Sequence, residues 1–483
     1  MTENNHAIPG VPPMKAASLD LLLITPSLDW RFERMQKRSI RVEEDTPNQE
    51  SPPLNIGYIF AAAKKEGLKV RFMDMVTDGI GVEELVEFIT RTKPSLVGFT
   101  AFTRQVKAAG TISAQIKRKM PNVTICVGGC HATAAPMQTL DEFPDIDFVF
   151  CGEAEEQLPK IFDCLGKSDA LTRLPGVVTR DKKDIQRVLA QDLDGIPFPA
   201  WEEFDLSKYP GLCPHRTNLE LPMIMTRGCP YKCTFCCRAN GDKIRIRSVH
   251  SVISEIERNI EEFGCEAITF ADENFVVNKQ WTEQFLSELN SLGLHKKVKW
   301  SCAMRVSMAT PELLREMRKA GCYYLFFGFE SASSATLKRI KKGTNVSQMR
   351  QAVRLAKEAG IIPVGGFMIG LPGDKEEDIY KSIEFGKELD LYSITFPIAV
   401  PYPGTVMREQ ALNNMYGLRI LSNDWDLYGR KAADSVEDFD ILESDDLSGR
   451  KLRELQDIAY SQHPKKILDE YLSRLSEFDS VTS

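Results

Sequence analysis

The 483-residue sequence lacks any run of about 18 consecutive apolar residues, so no segment is expected to span a membrane. It lacks an excess of basic residues: 61 Lys and Arg stand against 68 Asp and Glu, a formal net charge of −7. That balance argues against a nucleic-acid partner held by a broad basic surface. Twelve cysteines are a moderate count in a chain long enough to build a large core, and they do not indicate a disulfide scaffold.

The first residues also lack the apolar core of a signal peptide. Residues 1–17 are polar and contain proline, which predicts a flexible tail. We therefore expect a cytoplasmic protein, in which cysteines stay reduced or bind metal.

The sequence contains instead a regular alternation of strand and helix patterns. Over 18–165, short apolar runs alternate with helical spacings, which predicts a doubly wound parallel sheet covered on both faces. The predicted strands are Leu21–Ile24, Val70–Met73, Leu96–Phe99, Thr124–Val127 and Phe148–Phe150.

Small and polar residues follow these strands, where doubly wound sheets bind their ligands. They are Thr25, Ser27, Thr100, Thr103, Gly128, Gly129, His131, Gly152 and Glu153. No G-x-G-x-x-G follows the first strand, which counts against a dinucleotide site. His131 is either a metal ligand or, more commonly for such a position, a loop residue bonded to the backbone.

The second half predicts another α/β unit. Residues 166–217 are rich in turns and proline and are interpreted as an ordered linker. Over 218–410, six strand–helix units predict a partial (β/α)6 barrel of the triosephosphate isomerase type. Its strands are Met223–Met225, Ala267–Phe270, Val298–Cys302, Tyr324–Phe329, Ile362–Met368 and Ser393–Ala399. Residues 411–483 are charged, with helical spacing, and predict a small helical region that caps the barrel or shapes its pocket.

Three cysteines follow the first barrel strand with the spacing C-x3-C-x2-C: Cys229, Cys233 and Cys236. Structural zinc sites use four ligands, and no second C-x2-C pair is present. Cys237 adjoins Cys236, and neighbouring side chains rarely converge on one ion. A [4Fe–4S] cluster accepts three thiolates and leaves one iron open. The spacing therefore favours iron–sulfur chemistry over structural zinc.

The triplet in this position resembles the radical S-adenosylmethionine (SAM) family. The resemblance implies that SAM binds the open iron, close to the following side chains and glycines. They are Phe235, Asp272, Glu273, Arg305, Glu330, Ser331, Gly366 and Gly370. For Asp272 and Glu273 the alternative is a solvated turn, and for Arg305 it is a surface salt bridge.

The first half, in turn, resembles the flavodoxin-like cobalamin-binding domain of B12-dependent radical SAM enzymes. The similar segments are Pro52–Leu54, Asp74, Gly128–Thr133 and Gly152–Glu155. The resemblance implies that the nine strand-end residues named above bind cobalamin. No D-x-H-x-x-G is present, so cobalamin is expected without a histidine ligand to cobalt. Some relatives keep this domain without the cofactor.

The resemblance implies C-methylation of an unactivated carbon in a small molecule, through a 5′-deoxyadenosyl radical and methylcobalamin. A flavodoxin or ferredoxin-type protein would supply electrons. The strand ends of the two units would have to face each other. A radical SAM oxidative cyclase, like the anaerobic magnesium-protoporphyrin monomethyl ester cyclase, is the alternative.

Two further interpretations have less support from the sequence. A tRNA methylthiotransferase is disfavoured by the acidic balance and by the lack of a recognisable RNA-binding appendage. A B12 or iron sensor does not explain Glu330-Ser331 and Gly365-Gly366 beside the triplet. No residue identifies the substrate.

Overall fold

The computed structural model describes residues 19–29, 51–182, 184–209, 218–275, 278–428 and 440–463, with 466 and 471. The predicted tail at 1–17 lies outside the described residues. The described residues form two compact units. The first contains 19–29 and 53–208, and the second contains 51–52 and the residues from Tyr209 onward. Each unit has a six-stranded sheet.

The sheet of the first unit has the strand order β2-β1-β3-β4-β5-β6. Its strands are β1 Leu21–Thr25, β2 Val70–Asp74, β3 Leu96–Thr100, β4 Thr124–Gly128, β5 Phe148–Phe150 and β6 Val177–Val178. Its helices are α1 Leu54–Lys65, α2 Met75–Asp78, α3 Val82–Thr92, α4 Val106–Lys119, α5 Cys130–Ala134, α6 Pro136–Glu142, α7 Leu158–Cys164 and α8 Ser168–Arg173.

The first five strands are parallel, and their order is that of flavodoxin-like sheets. The side chains of Leu21–Ile24 and Leu96–Phe99 are buried on both faces, as expected when helices cover a parallel sheet. The prediction of a doubly wound sheet is therefore confirmed.

Most of the segment predicted as a linker is instead part of the first unit. Residues 166–208 belong to the first unit and contain α8 and β6, which pairs antiparallel with β5. A strand of two residues is too short to give a periodic pattern, and the prolines of 192–201 dominate the local signal. Trp201 is fully buried against α1, where a Cβ on Gly57 would lie 3.0 Å from the indole ring.

The second unit contains the partial barrel, with the strand order β14-β13-β12-β11-β10-β7. These parallel strands are β7 Glu220–Met223, β10 Ala267–Phe270, β11 Lys299–Met304, β12 Cys322–Glu330, β13 Ile362–Phe367 and β14 Ser393–Thr395. Two short antiparallel pairs join β8 Thr226–Arg227 to β9 Arg245–Ile246, and β15 Arg419–Ile420 to β16 Leu442–Glu443.

Helices follow the barrel strands as the prediction requires. They are α9 Val249–Phe263, α10 Lys279–Ser291, α11 Pro311–Lys319, α12 Ser334–Arg339, α13 Val346–Glu358, α14 Glu376–Leu389 and α15 Val406–Leu412, followed by α16 Gly449–Gln462 near the C-terminus. Ser248 caps α9 by accepting from the backbone N–H of Ser251, and Gly264 ends it with φ 68°. Within the described ranges, no helix is long and apolar enough to cross a bilayer.

The first barrel strand ends earlier than predicted, at Met223 rather than Met225. The backbone N–H groups of Met225 and Thr226 donate to the Asp272 carboxylate instead of continuing the ladder with β10. The chain therefore leaves the sheet just before the cysteine triplet.

Candidate active site

The cysteine loop, residues 228–240, leaves β8 through a glycine that no other residue can replace without strain. Gly228 has φ 93°, and a Cβ there would lie 2.3 Å from the carbonyl oxygen of Lys243. The N–H of Cys229 donates to the Gly241 carbonyl at 3.2 Å, and that of Cys236 donates to the Cys233 carbonyl at 3.2 Å. Backbone bonds thus fix the loop that carries the three thiols.

The three thiols differ in environment. Cys233 is 7% exposed, Cys229 is half-buried and Cys236 is exposed. A hydrogen bond from Cys236, with the charges of Lys342 and Arg305, lowers the pKa of Cys233 to about 6 against the effect of burial. Burial raises the pKa of Cys229. Cys233 is the thiol that is ionised most easily at neutral pH, and the thiolate is the form that binds metal.

Arg305 follows β11, and its buried side chain contacts the cysteine loop. Its Nη1 lies 3.9 Å from Cys233 Sγ, and its Nη2 donates to the Lys342 carbonyl. Its guanidinium stacks 3.7 Å from the centre of the Tyr231 ring. Arg305 is 8% exposed, so it is a buried cation beside the thiols and not part of a surface salt bridge.

Asp272 and Glu273 follow β10. Asp272 binds the residues just before the cysteine loop, and Glu273 binds the first and last residues of the loop. Asp272 accepts from the backbone N–H and the hydroxyl of Thr226, each at 2.6 Å, and burial raises its pKa to about 6. Glu273 accepts from Gly228 N at 2.8 Å and from Asn240 Nδ2 at 2.9 Å. Both carboxylates therefore have backbone partners at or just before the cysteine loop and do not lie in a solvated turn. Their contact with SAM stays a prediction.

Glu330 ends β12 and Ser331 follows it. The Glu330 carboxylate accepts from Lys342 Nζ through Oε1 at 2.7 Å, and Oε2 has no partner among the described residues. Ser331 is buried, and its hydroxyl accepts from the backbone N–H of Ser333. Sequence reasoning missed Lys342, which lies 12 residues beyond Glu330 in a loop without a strand or helix signal.

The remaining predicted SAM contacts lie in β13, just after β13 and in the cysteine loop. Phe235 is half-buried in that loop. A Cβ on Gly366 would lie 2.8 Å from Thr395 Oγ1, and one on Gly370 would lie 3.0 Å from Leu452 Cδ2 on α16. Glycine at Gly370 is therefore explained by packing against the C-terminal helix. Its contact with SAM stays a prediction.

Asp374 is a buried acid in the loop after β13. It accepts from Thr336 Oγ1 at 2.7 Å and from Leu371 N at 3.0 Å, and burial raises its pKa to about 7. The folded chain keeps this proton up to about pH 7, whereas an unfolded Asp releases it near pH 4. Its contribution to the free energy of unfolding therefore falls as the pH rises between these values.

Asp374→Asn removes this titration while keeping a hydrogen-bonding side chain. We expect urea unfolding of the full chain at pH 5 and pH 7.5 to show a smaller loss of stability for the variant. The difference should be at most about 1.4 kcal/mol per pH unit. Equal pH dependence of wild type and variant would contradict the assignment.

In the first unit, three predicted residues align at the carboxyl edge of the sheet. Thr25, Thr100 and Gly128 end the adjacent strands β1, β3 and β4. The Thr25 hydroxyl is buried without a described partner, and Thr100 Oγ1 accepts from Asn55 Nδ2 at 2.7 Å. Asn55 lies in the first turn of α1 and was not predicted from the sequence. The β1/β3 boundary is the switch point where such sheets bind ligands.

The two glycine turns at this edge need positive φ. Gly129 has φ 101°, and a Cβ there would lie 2.9 Å from the Ala101 carbonyl oxygen. Gly152 has φ 103°, and its N–H donates to Thr133 Oγ1 at 3.0 Å. By contrast, a Cβ on Gly128 would meet no atom within 4 Å, so Gly128 faces open space.

The remaining predicted residues in this unit have structural partners. His131 is 1% exposed, and its Nδ1 lies 3.2 Å from Thr103 Oγ1. Glu153 accepts from Ala190 N at 2.9 Å, and Ser27 is buried with its N–H 3.4 Å from Met75 Sδ.

The donor set at the cysteine loop fits a cubane cluster better than a single ion. Within the described ranges, no three His, Cys, Asp or Glu side chains converge as ligands of one metal ion. In a [4Fe–4S] cluster each thiolate binds a different iron, so the sulfur atoms need not converge. The buried Arg305 and the Lys342 ammonium match the negative charge of such a group.

Comparison with known proteins agrees with both sites. Residues 44–162 match the B12 binding domain, and residues 223–386 match the Radical SAM superfamily. An uncharacterized methyltransferase of Pyrococcus horikoshii is 31% identical over 384 residues, which cover 78% of this chain and 81% of that protein.

A second relative has a different activity. The anaerobic magnesium-protoporphyrin IX monomethyl ester cyclase of Cereibacter sphaeroides is 29% identical over 370 residues, covering 74% of this chain and 60% of the cyclase. Among solved structures, the radical SAM methyltransferase TsrM of Kitasatospora setae, with cobalamin and a [4Fe–4S] cluster bound, shares the fold. The TM-score is 0.67 at 18% identity, covering 84% of this chain and 81% of TsrM.

Proposed function

This chain belongs to the B12-binding radical SAM enzymes, and from that premise we propose that it methylates an unactivated carbon of a small-molecule substrate. The observation that carries the proposal is the presence of two cofactor edges in one chain. One is the cysteine loop with its buried cations, and the other is the open carboxyl edge at Gly128. The methyltransferase of Pyrococcus horikoshii, 31% identical, supports methyl transfer.

When bound, the cluster with SAM supplies a radical that removes hydrogen from carbon, and cobalamin supplies a methyl group. The protein supplies position. Cys229, Cys233 and Cys236 hold the cluster, while Asp272 and Glu273 keep their loop in place through backbone bonds. Phe235, Ser331, Gly366 and Gly370 complete the proposed SAM contacts.

Glu330 is proposed to meet the cationic end of SAM. Its Oε1 is bonded to Lys342, and its Oε2 is free to accept one more hydrogen bond. Such a bond, formed in a nearly buried position, orients the ligand as well as binding it.

Cobalamin is proposed to lie against the edge formed by Thr25, Thr100 and Gly128. The buried Thr25 hydroxyl and the space at Gly128 are the observations in favour. The other residues predicted to bind cobalamin support this edge through the contacts described above. They are Ser27, Thr103, Gly129, His131, Gly152 and Glu153.

Electrons must come from outside the chain. We propose a flavodoxin or ferredoxin-type donor and a cytoplasmic location. No disulfide joins the described cysteines, which fits a reducing compartment.

Oxidative ring formation is the second candidate function, because the cyclase is 29% identical to this chain. Methyl-labelled SAM separates the two. The reconstituted enzyme is incubated with it and with the small-molecule fraction of its host cells, and the extract is examined by mass spectrometry. Methylation predicts label on cobalamin and on a new product. A new product that has lost hydrogen and carries no label would contradict methylation and support the cyclase reaction.

A further inference from the structure

A nearly buried ion pair lies beside the cysteine loop, and no motif identified in the sequence includes both of its members. Lys342 Nζ donates to Glu330 Oε1 at 2.7 Å, with the two side chains only 10% and 12% exposed. Removing two charges from water costs several kcal/mol each, so such a pair is weak evidence of a purely stabilising role.

The backbone is built around this pair at some cost. Glu330 has φ 67°, a left-handed conformation that is unfavourable for a residue other than glycine. The register between β12 and β13 shifts between Gly328 and Glu330. A Cβ on Gly328 would lie 2.5 Å from Glu330 Oε1 and 3.0 Å from Lys342 Nζ. The glycine therefore makes room for the pair, and strain of this kind concentrates at functional sites.

The segment that carries Lys342 approaches the Cys233 thiol through two backbone carbonyls. The carbonyl of Lys342 accepts from Arg305 Nη2, and Nη1 of the same guanidinium lies 3.9 Å from Cys233 Sγ. The carbonyl oxygen of the preceding residue, Lys341, is 4.0 Å from that sulfur. Residues 341 and 342 therefore contact both Cys233 and the guanidinium beside it, and Glu330 is held 2.7 Å from the Lys342 ammonium. Two opposite charges thus lie next to the segment that contacts the proposed ligands.

We propose that the charges of Lys342 and Glu330 set the reduction potential of the cluster held by the cysteine loop. Reduction adds one negative charge to the cluster. A nearby ammonium stabilises that charge and raises the potential, whereas a nearby carboxylate lowers it. This inference rests on the proposed function, because it assumes that the triplet binds the cluster.

The test is a potentiometric titration of the reconstituted full-length protein, followed by EPR in the absence of SAM. Lys342→Met should shift the potential downward, and Glu330→Gln should shift it upward. The double variant should return close to the wild-type value. Lys338→Met is the matched control, because Lys338 is exposed on α12. The reduction potential of the cluster in this variant should equal that of wild type.

Iron content, measured on the same samples, separates the possible failures. Equal potentials for wild type and both single variants, at equal iron content, would overturn this inference and leave the proposed function standing. A wild-type protein that takes up no cluster would overturn the proposed function, and this inference with it. Where Lys342→Met takes up no cluster, Glu330→Gln decides, since an unchanged potential in that variant overturns the inference.

Discussion

Cys233→Ala is expected to yield protein that takes up no [4Fe–4S] cluster and cleaves SAM only at background level. Cys233 is the most buried of the three thiols, and it is the one whose pKa is lowered, to about 6, by its neighbours. Metal binding requires the thiolate, so this position contributes a ligand that is ionised at neutral pH. A three-thiolate cluster has no spare protein ligand to replace it.

The measurement is iron content and visible absorption after anaerobic reconstitution, followed by assay of 5′-deoxyadenosine. Cys237→Ala is the matched control, because Cys237 is an exposed thiol outside the C-x3-C-x2-C spacing. It should keep both cluster and cleavage. A full cluster in Cys233→Ala, or its loss in Cys237→Ala, would show that the ligand set is assigned incorrectly.

Gly128→Val is expected to weaken cobalamin binding without destabilising the protein. No atom lies within 4 Å of a Cβ at this position, so the folded chain itself tolerates a side chain there. A cofactor pressed against this edge does not. We expect affinity for hydroxocobalamin to fall about tenfold or more, a loss of about 1.4 kcal/mol.

Titration by absorption spectroscopy measures this affinity, and thermal unfolding of the cofactor-free chain measures stability. Thr124→Val, at the opposite end of the same strand β4, is the control and should change neither. Unchanged cobalamin affinity in Gly128→Val would show that cobalamin does not bind at this edge. A large drop in unfolding temperature would mean that the glycine is needed for folding instead.

The elements that the sequence predicted well are those with strong local signals. The runs of β1 and β3 are apolar on both faces, so their burial in a parallel sheet follows from composition. The spacing of the cysteine triplet is equally local. The position of the triplet after the first barrel strand can be predicted from the order of the motifs along the chain.

What the sequence could not supply are partners brought together by the fold. Lys342 and Glu330 meet only because the loop after α12 returns to the end of β12. Asn55 meets Thr100 across 45 residues. The bonds from Thr226 to Asp272 and from Gly228 to Glu273 also join distant parts of the chain, a role that no periodic pattern encodes. Strand β6 was missed because two residues carry no period.

Reductive cleavage of SAM by the reconstituted wild-type chain tests the central claim most directly. The protein is loaded anaerobically with iron, sulfide and cobalamin, reduced, and given SAM, and 5′-deoxyadenosine is quantified per cluster. We predict formation of 5′-deoxyadenosine that depends on the reductant and on Cys233. An intact cluster that leaves SAM uncleaved would contradict the account.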